Sequence, residues 1–170
     1  MIIKTVIFLL LLTEGFSQTW SWTGRTHGEL DWSTIETEHY RVHYHQGIEN
    51  IAKEGASIAE QVRPILLKQM DLEDIPTIDI IFTTEDEIMN GFAQWTYNTF
   101  IWVDQNDAAI WLEDEKWLYQ VLAHELQHIV FFHRVKTWLP EPWSIFLSQI
   151  PGWVVEGLAE YETEHWRPYR

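Results

Sequence analysis

An α+β domain is the fold class this chain predicts, and three observations predict it. Residues 39–45 alternate strictly, with Tyr40, Val42 and Tyr44 on one side and His39, Arg41, His43 and His45 on the other. That is the period of a half-buried strand with a polar outer face. Ile51, Ala52, Ile58, Ala59, Val62, Ile65 and Leu66 recur at the spacing of one helical face. The segments then follow in the order strand, helix, strand, hairpin, helix, helix, which is the mixed order of an α+β domain.

The 170 residues are one domain's length, 46% apolar and 22% charged, enough to bury a core without staples. With no cysteine, a disulfide framework, a thiolate metal site and a cysteine nucleophile are excluded. Lys plus Arg is 11 against 26 for Asp plus Glu, a net charge of -15. Such a chain repels phosphate backbones and anionic lipid, so a nucleic-acid partner is not expected.

Taken in order, Lys4, the apolar run 6–12 and the small residues up to Ser17 read as a secretory signal over residues 1–17. The run is too short to span a bilayer. Export without cysteines suits a bacterial envelope: periplasmic, outer-envelope or secreted. Residues 18–36 read as an irregular, Trp-dotted lead-in, and the domain proper as 37–170. The helix over 49–70 carries Pro64, which predicts a kink or a second start. A strand follows over 78–83. Thr84 and Glu87 then have the spacing of a capping box for a short turn. Residues 92–96 and 100–103 flank a predicted turn at 97–99. Asp114 is the expected N-cap of a helix reaching about residue 133. Beyond Pro140 and Pro142, residues 143–150 suggest a short helix and 153–163 a final one. The polar face with His39, His43 and His45 reads as solvated rather than as a second metal site. The eleven Trp read as core and cluster residues rather than a sugar-stacking platform.

The chemistry is concentrated in His124-Glu125-Leu126-Gln127-His128, an HExxH string inside a predicted helix. At 3.6 residues per turn, His124 and His128 project about 40° apart and about 6 Å along the axis, so both imidazoles can reach one cation. Glu125 lies about 60° round from His128. There it flanks the ion, where a base can take a proton from the attacking water. A catalytic zinc needs a third protein ligand and an open position. Position 134 is Arg and His133 is one residue off, so a third histidine at metzincin spacing is absent. Glu156, on the following helix, is the better candidate. Gly157 would let that helix approach closely, and Glu160, one turn on, would accept the free N–H of a ligating imidazole.

This arrangement resembles the gluzincins, the zinc peptidases that pair HExxH with a downstream glutamate. Trp153-x-x-Glu156-Gly157-x-Ala159 is similar to the third-ligand segment of their aminopeptidase branch. With residues 32–44 and Asn90-Gly91-Phe92-Ala93, the chain looks most like the peptidase-MA-like domains of bacterial exported proteins, often joined to a TolB-type β-propeller. The resemblance spans most of 32–163. It implies a zincin-like fold, with a small mixed sheet packed on the HExxH helix and a second ligand-bearing helix after it. It also implies one Zn²⁺ held by His124, His128 and Glu156, Glu125 as general base, and residues 92–96 as a sheet edge that pairs with an extended peptide. Tyr97, Tyr161, His165 and Tyr169 are all open as the donor to the oxyanion.

The expected function is zinc-dependent hydrolysis of a peptide or protein substrate. The alternative is a zincin-like, non-catalytic binding or assembly module of a larger envelope protein. Further polypeptide, such as a downstream propeller, is expected to cover an apolar patch near Trp138, Trp143 and Trp153. Without it the chain is expected to bind zinc and hydrolyse peptides poorly.

Overall fold

The computed structural model describes residues 29–84, 90–103, 117–138 and 150–164. The chain divides into two units, Met1–Leu30 and Asp31–Arg170. The signal segment, residues 18–28, the capping box at 84–87, Asp114 and the short helix expected over 143–150 fall wholly or partly outside the described residues. The second unit is α+β. It runs β1 (Trp32–Glu36), β2 (Tyr40–His45), α1 (Glu49–Gln69), β3 (Ile78–Thr83), β4 (Asn90–Gln94), β5 (Asn98–Trp102), α2 (Trp117–Trp138) and α3 (Gly152–Glu164). No described helix is long and apolar enough to cross a membrane.

The five strands form one mixed sheet in the order β1-β2-β3-β5-β4. β2, β3 and β5 run parallel, while β1 and β4 close the two edges antiparallel to β2 and β5. Alternation decides which face is covered. Tyr40, Val42, Ile78, Ile80, Phe82 and Ile101 are buried and meet the apolar stripe of α1, including Ala52, Ala56, Ala59, Val62 and Leu66. Small residues on α1 permit close packing: a Cβ at Gly55 would stand 2.7 Å from a ring carbon of Phe82. The stripe Leu122, Leu126 and Ile129 of α2 completes the same core.

Helix α1 is one helix through Pro64, with no second start. Pro64 lies on its exposed side, where solvent replaces the missing backbone bond. The helix ends in a Schellman arrangement. Asp71 takes a left-handed φ of 52°, Asp71 N–H donates to Lys68 O at 3.2 Å and Leu72 N–H to Leu67 O at 3.0 Å. The buried Arg63 guanidinium then ties the connection to β3 by donating to Asp74 and to Ile75 O.

Three expectations are corrected. Residues 32–36 belong to a strand rather than to an irregular lead-in. Most of β1 is exposed, so backbone pairing with β2 selects it and no apolar alternation announces it. The hairpin turn lies at 95–97, two residues earlier than expected, because Tyr97 adopts a φ of 62° and Thr99 already pairs with Ala93. His45 belongs to the interior rather than to the solvated face. It is 3% exposed, its Nε2 accepts from Thr84 N–H at 3.2 Å, and its Nδ1–H donates to Gln46 O at 2.9 Å. His39 and His43 stay on the polar face, beside Glu60 and Asp79.

On that face Asp79 takes both Arg41 Nε and Nη2 at 2.6 Å and His43 Nε2 at 3.0 Å. Hydrogen bonding from Arg41 outweighs partial burial and holds the Asp79 carboxyl below its ordinary 3.8. A carboxyl whose folded value is depressed contributes stability that is complete above the ordinary value and lost as pH falls through the folded one. Asp79→Asn is expected to lower the thermal midpoint at neutral pH and to flatten its decline below about pH 4. Superimposable acid profiles for the two proteins would refute this.

Candidate metal centre

Because Leu122, Leu126 and Ile129 are committed to the core, the other side of α2 is forced to present His124, Glu125, His128 and Phe132 together. These residues line a cleft of about 640 Å³, walled by Gly91, Phe92 and Ala93 of β4 and by Glu156, Glu160 and Thr163 of α3. Helix α3 starts behind Pro151, whose carbonyl accepts Val154 N–H at 2.9 Å. It packs through Ala159, which is buried, and Gln69 of α1 donates to Glu162 O at 2.9 Å. Glu156 and Glu160, one turn apart, therefore face α2. Gly157 plays no part in the approach. A Cβ there meets nothing within 4 Å, whereas Ala159 is the buried small residue of this helix.

The donor atoms converge. Glu156 Oε2 lies 3.2 Å from His124 Nε2 and 3.4 Å from His128 Nε2, and the two rings stand edge to face at 4.6 Å. Ligands about 2.0–2.1 Å from a tetrahedral zinc are separated by about 3.3–3.4 Å. The two Glu156–imidazole distances are compatible with such a spacing, and two imidazoles and a carboxylate are a donor set that could hold that ion. Donor atoms of His124, Glu125 and His128 also lie within 4.8 Å of one another. The backbone N–H of Ala93 also bonds the Glu125 carboxylate, at the β4 side of the cleft. Glu160 Oε1 stands 3.6 Å from His124 Nδ1, on the side of the ring turned away from Glu156.

Electrostatics favours a cation here. Glu125 is 5% exposed. Burial first, and the Glu156 carboxylate second, push it up to about 8 against a partial offset from Ala93 N–H. Burial and the neighbouring His124 hold His128 down, so its imidazole is neutral near pH 7 and has a lone pair to give. A positive ion between these groups would relieve the repulsion that raises Glu125.

His124, His128, Glu156 and Glu125 are thus brought together as expected, with Glu160 beside them. Tyr97 is not at the cleft: its hydroxyl meets His133 Nδ1 at 2.8 Å. Tyr161 is exposed, and His165 and Tyr169 lie outside the described residues. Trp153 is 78% exposed, while the Trp138 side chain and Trp143 lie outside the description. The sequence reading missed Trp117, Gln120, Val121 and Phe132 as cleft walls. Gln120 and Phe132 lie four residues from His124 and His128, and Trp117 and Val121 lie seven residues before them, so helical spacing carried the signal. No family model matches the chain, and no curated protein matches it.

Two outcomes follow for variants. Glu160→Ala is expected to weaken zinc affinity about 10–100-fold, read by competition with a chelating dye; unchanged affinity would return Glu160 to a solvated role. Gln127, between the two histidines in sequence, is 1% exposed, and neither atom of its amide has a partner. Gln127→Met removes two unpaired buried polar atoms at nearly constant volume. It is expected to stabilise the fold by about 1 kcal/mol, a rise of roughly 2–4 °C in thermal midpoint. A fall of that size would mean the amide is satisfied.

Proposed function

We propose that this chain is a zinc-dependent peptidase of gluzincin type, with a zincin-like fold and an exported site of action. The observation that carries the reading is the approach of Glu156 Oε2 to within 3.2 Å of His124 Nε2 and 3.4 Å of His128 Nε2, with a buried carboxylate anchored by Ala93 beside them. His124, His128 and Glu156 would hold the ion, and Glu160 would fix the His124 ring. A bound zinc supplies Lewis acidity, lowering the pKa of water and polarising a carbonyl.

The remaining work falls to the protein. Glu125 takes the proton from the attacking water and returns it to the leaving amine, a role that needs one carboxylate oxygen free toward the cleft. The edge of β4 limits where that carboxylate can swing. Phe92, Val121 and Phe132 give the cleft apolar walls that exclude water from a peptide side chain. A membership in the peptidase-MA-like group, and a propeller as further partner, belong to the same proposal and rest on the sequence resemblance.

One observation favours the alternative of a non-catalytic binding or assembly module. Tyr97 is engaged by His133, and no Tyr is among the described residues that line the cleft. A donor to the oxyanion is typically worth about 10²–10³ in rate.

Zinc analysis combined with hydrolysis of a peptide library separates the two readings. About one Zn²⁺ per chain is expected after reconstitution. His124→Ala, His128→Ala and Glu156→Ala are expected to lose it. Glu125→Gln is expected to keep the ion and lose about 10²–10⁴-fold in turnover. Full zinc occupancy with no hydrolysis of any peptide would select the assembly module. A folded chain that takes up no zinc would overturn the metal site.

A further inference from the structure

We infer that Gly91 is a positioning residue for Glu125: the missing side chain at this place in β4 is the seat of the Glu125 carboxylate. The inference rests on the peptidase reading for its consequence in turnover, but not for its geometry. A Cβ at Gly91 would stand 2.5 Å from Glu125 Oε1 and 2.7 Å from Cδ, with Cγ closer still. Real Cβ atoms do not approach so near, and three successive side-chain atoms are involved, so a small shift of the carboxylate alone cannot clear the contact. The whole side chain must leave its rotamer.

Glu125 has few places to go. It is 5% exposed, lies against Gly91 of β4, and shares the cleft with His128 and Glu156. Its present orientation is held by the Ala93 N–H, two residues along the same strand. Ala93 and Gly91 project to the same face of β4. One therefore supplies the hydrogen bond and the other the space, and the pair sets the carboxylate against the strand. Leaving that seat gives up the Ala93 bond in a cleft that Glu156 also lines. Gly91 is not required by its backbone. It is paired in regular antiparallel register with Ile101, and its φ is not among the positive values. A strand position of this kind ordinarily prefers a side chain. The close approach of Glu125 is the physical reason for glycine here.

The test is a double-mutant cycle on the zinc-loaded full chain, with Gly91→Ala measured in the wild type and in a Glu125→Ala background. Thermal midpoint is the first readout and needs no activity. In the wild type, Gly91→Ala is expected to lower the midpoint by a few degrees. In the Glu125→Ala background, where Cγ and the carboxylate are gone, the same change is expected to be neutral or to raise it, since alanine suits a strand better than glycine. An equal fall in both backgrounds would overturn the inference. Zinc stoichiometry is expected to stay unchanged in Gly91→Ala, and loss of zinc would also overturn it, by showing damage to the ligands. For turnover, kcat is expected to fall about 10²-fold, the usual result of misplacing a catalytic group by about 1 Å, with KM nearly unchanged. Gly91→Ala is expected to cost nothing further when added to Glu125→Gln. Should the wild type hydrolyse no peptide, the peptidase reading fails while the midpoint cycle still decides the role of Gly91.

Discussion

The burial of Leu122, Leu126 and Ile129 against α1 and the sheet is the constraint from which the site follows. A helix is a rigid cylinder, so fixing one stripe in the core fixes the direction of the opposite one. His124, Glu125, His128 and Phe132 then have no freedom except their own rotamers. They stand at the mouth of a cleft whose other walls come from an edge strand and from a second helix. The same core sets the distance between α2 and β4. That distance is short enough to bring the Glu125 side chain into contact with the strand at Gly91 and Ala93.

In the cleft Glu125 and Glu156 oppose each other, while Glu156 also meets both imidazoles. Two carboxylates, Glu125 and Glu156, share a partly desolvated space, and burial of Glu125 adds to the cost of its charge. His128 does not offset this, because burial keeps its imidazole neutral. His124, Glu125 and His128 form a group that could hold a cation, which would offset the repulsion between the carboxylates. The polar groups elsewhere behave differently. Asp79 meets Arg41 and His43, and Glu60 is bonded by Thr37 and His39, each carboxylate held down by its hydrogen-bond partners. Those pairings stabilise the protein as it stands.

His128 and His124 also differ in what stands behind them. Glu160 approaches Nδ1 of His124, whereas Nδ1 of His128 is buried without a partner. Ring orientation at a metal is usually set by such a group. At His128 the constraint comes from packing instead, with the Phe132 ring stacked nearly parallel at a centroid distance of 6.2 Å. One imidazole is thus aimed by a charge and the other by a neighbouring surface.

Short-range pattern alone determined a good deal. The alternation of residues 39–45, the helical spacing of 51–66, the strand at 78–83 and the HExxH stripe each depend on neighbours a few positions apart, and their periods survive in the folded chain. The relative bearings of His124, Glu125 and His128 likewise follow from helical geometry and needed no tertiary information. Tertiary structure decided everything that depends on what lies opposite. β1 exists because β2 offers a partner, so its exposed side chains gave no sign of it. His45 sits on the polar side of an alternating strand yet is buried, because Trp32 and Thr84 close over it. Tyr97 was open as a reacting group until the turn placed its hydroxyl on His133. Gly157 looked like the point of close approach and is not, whereas Gly91 meets the carboxylate of Glu125 from 34 positions away in sequence. Contacts of that separation leave no periodic trace, since they are created by the packing of one element on another and not by the conformation of either.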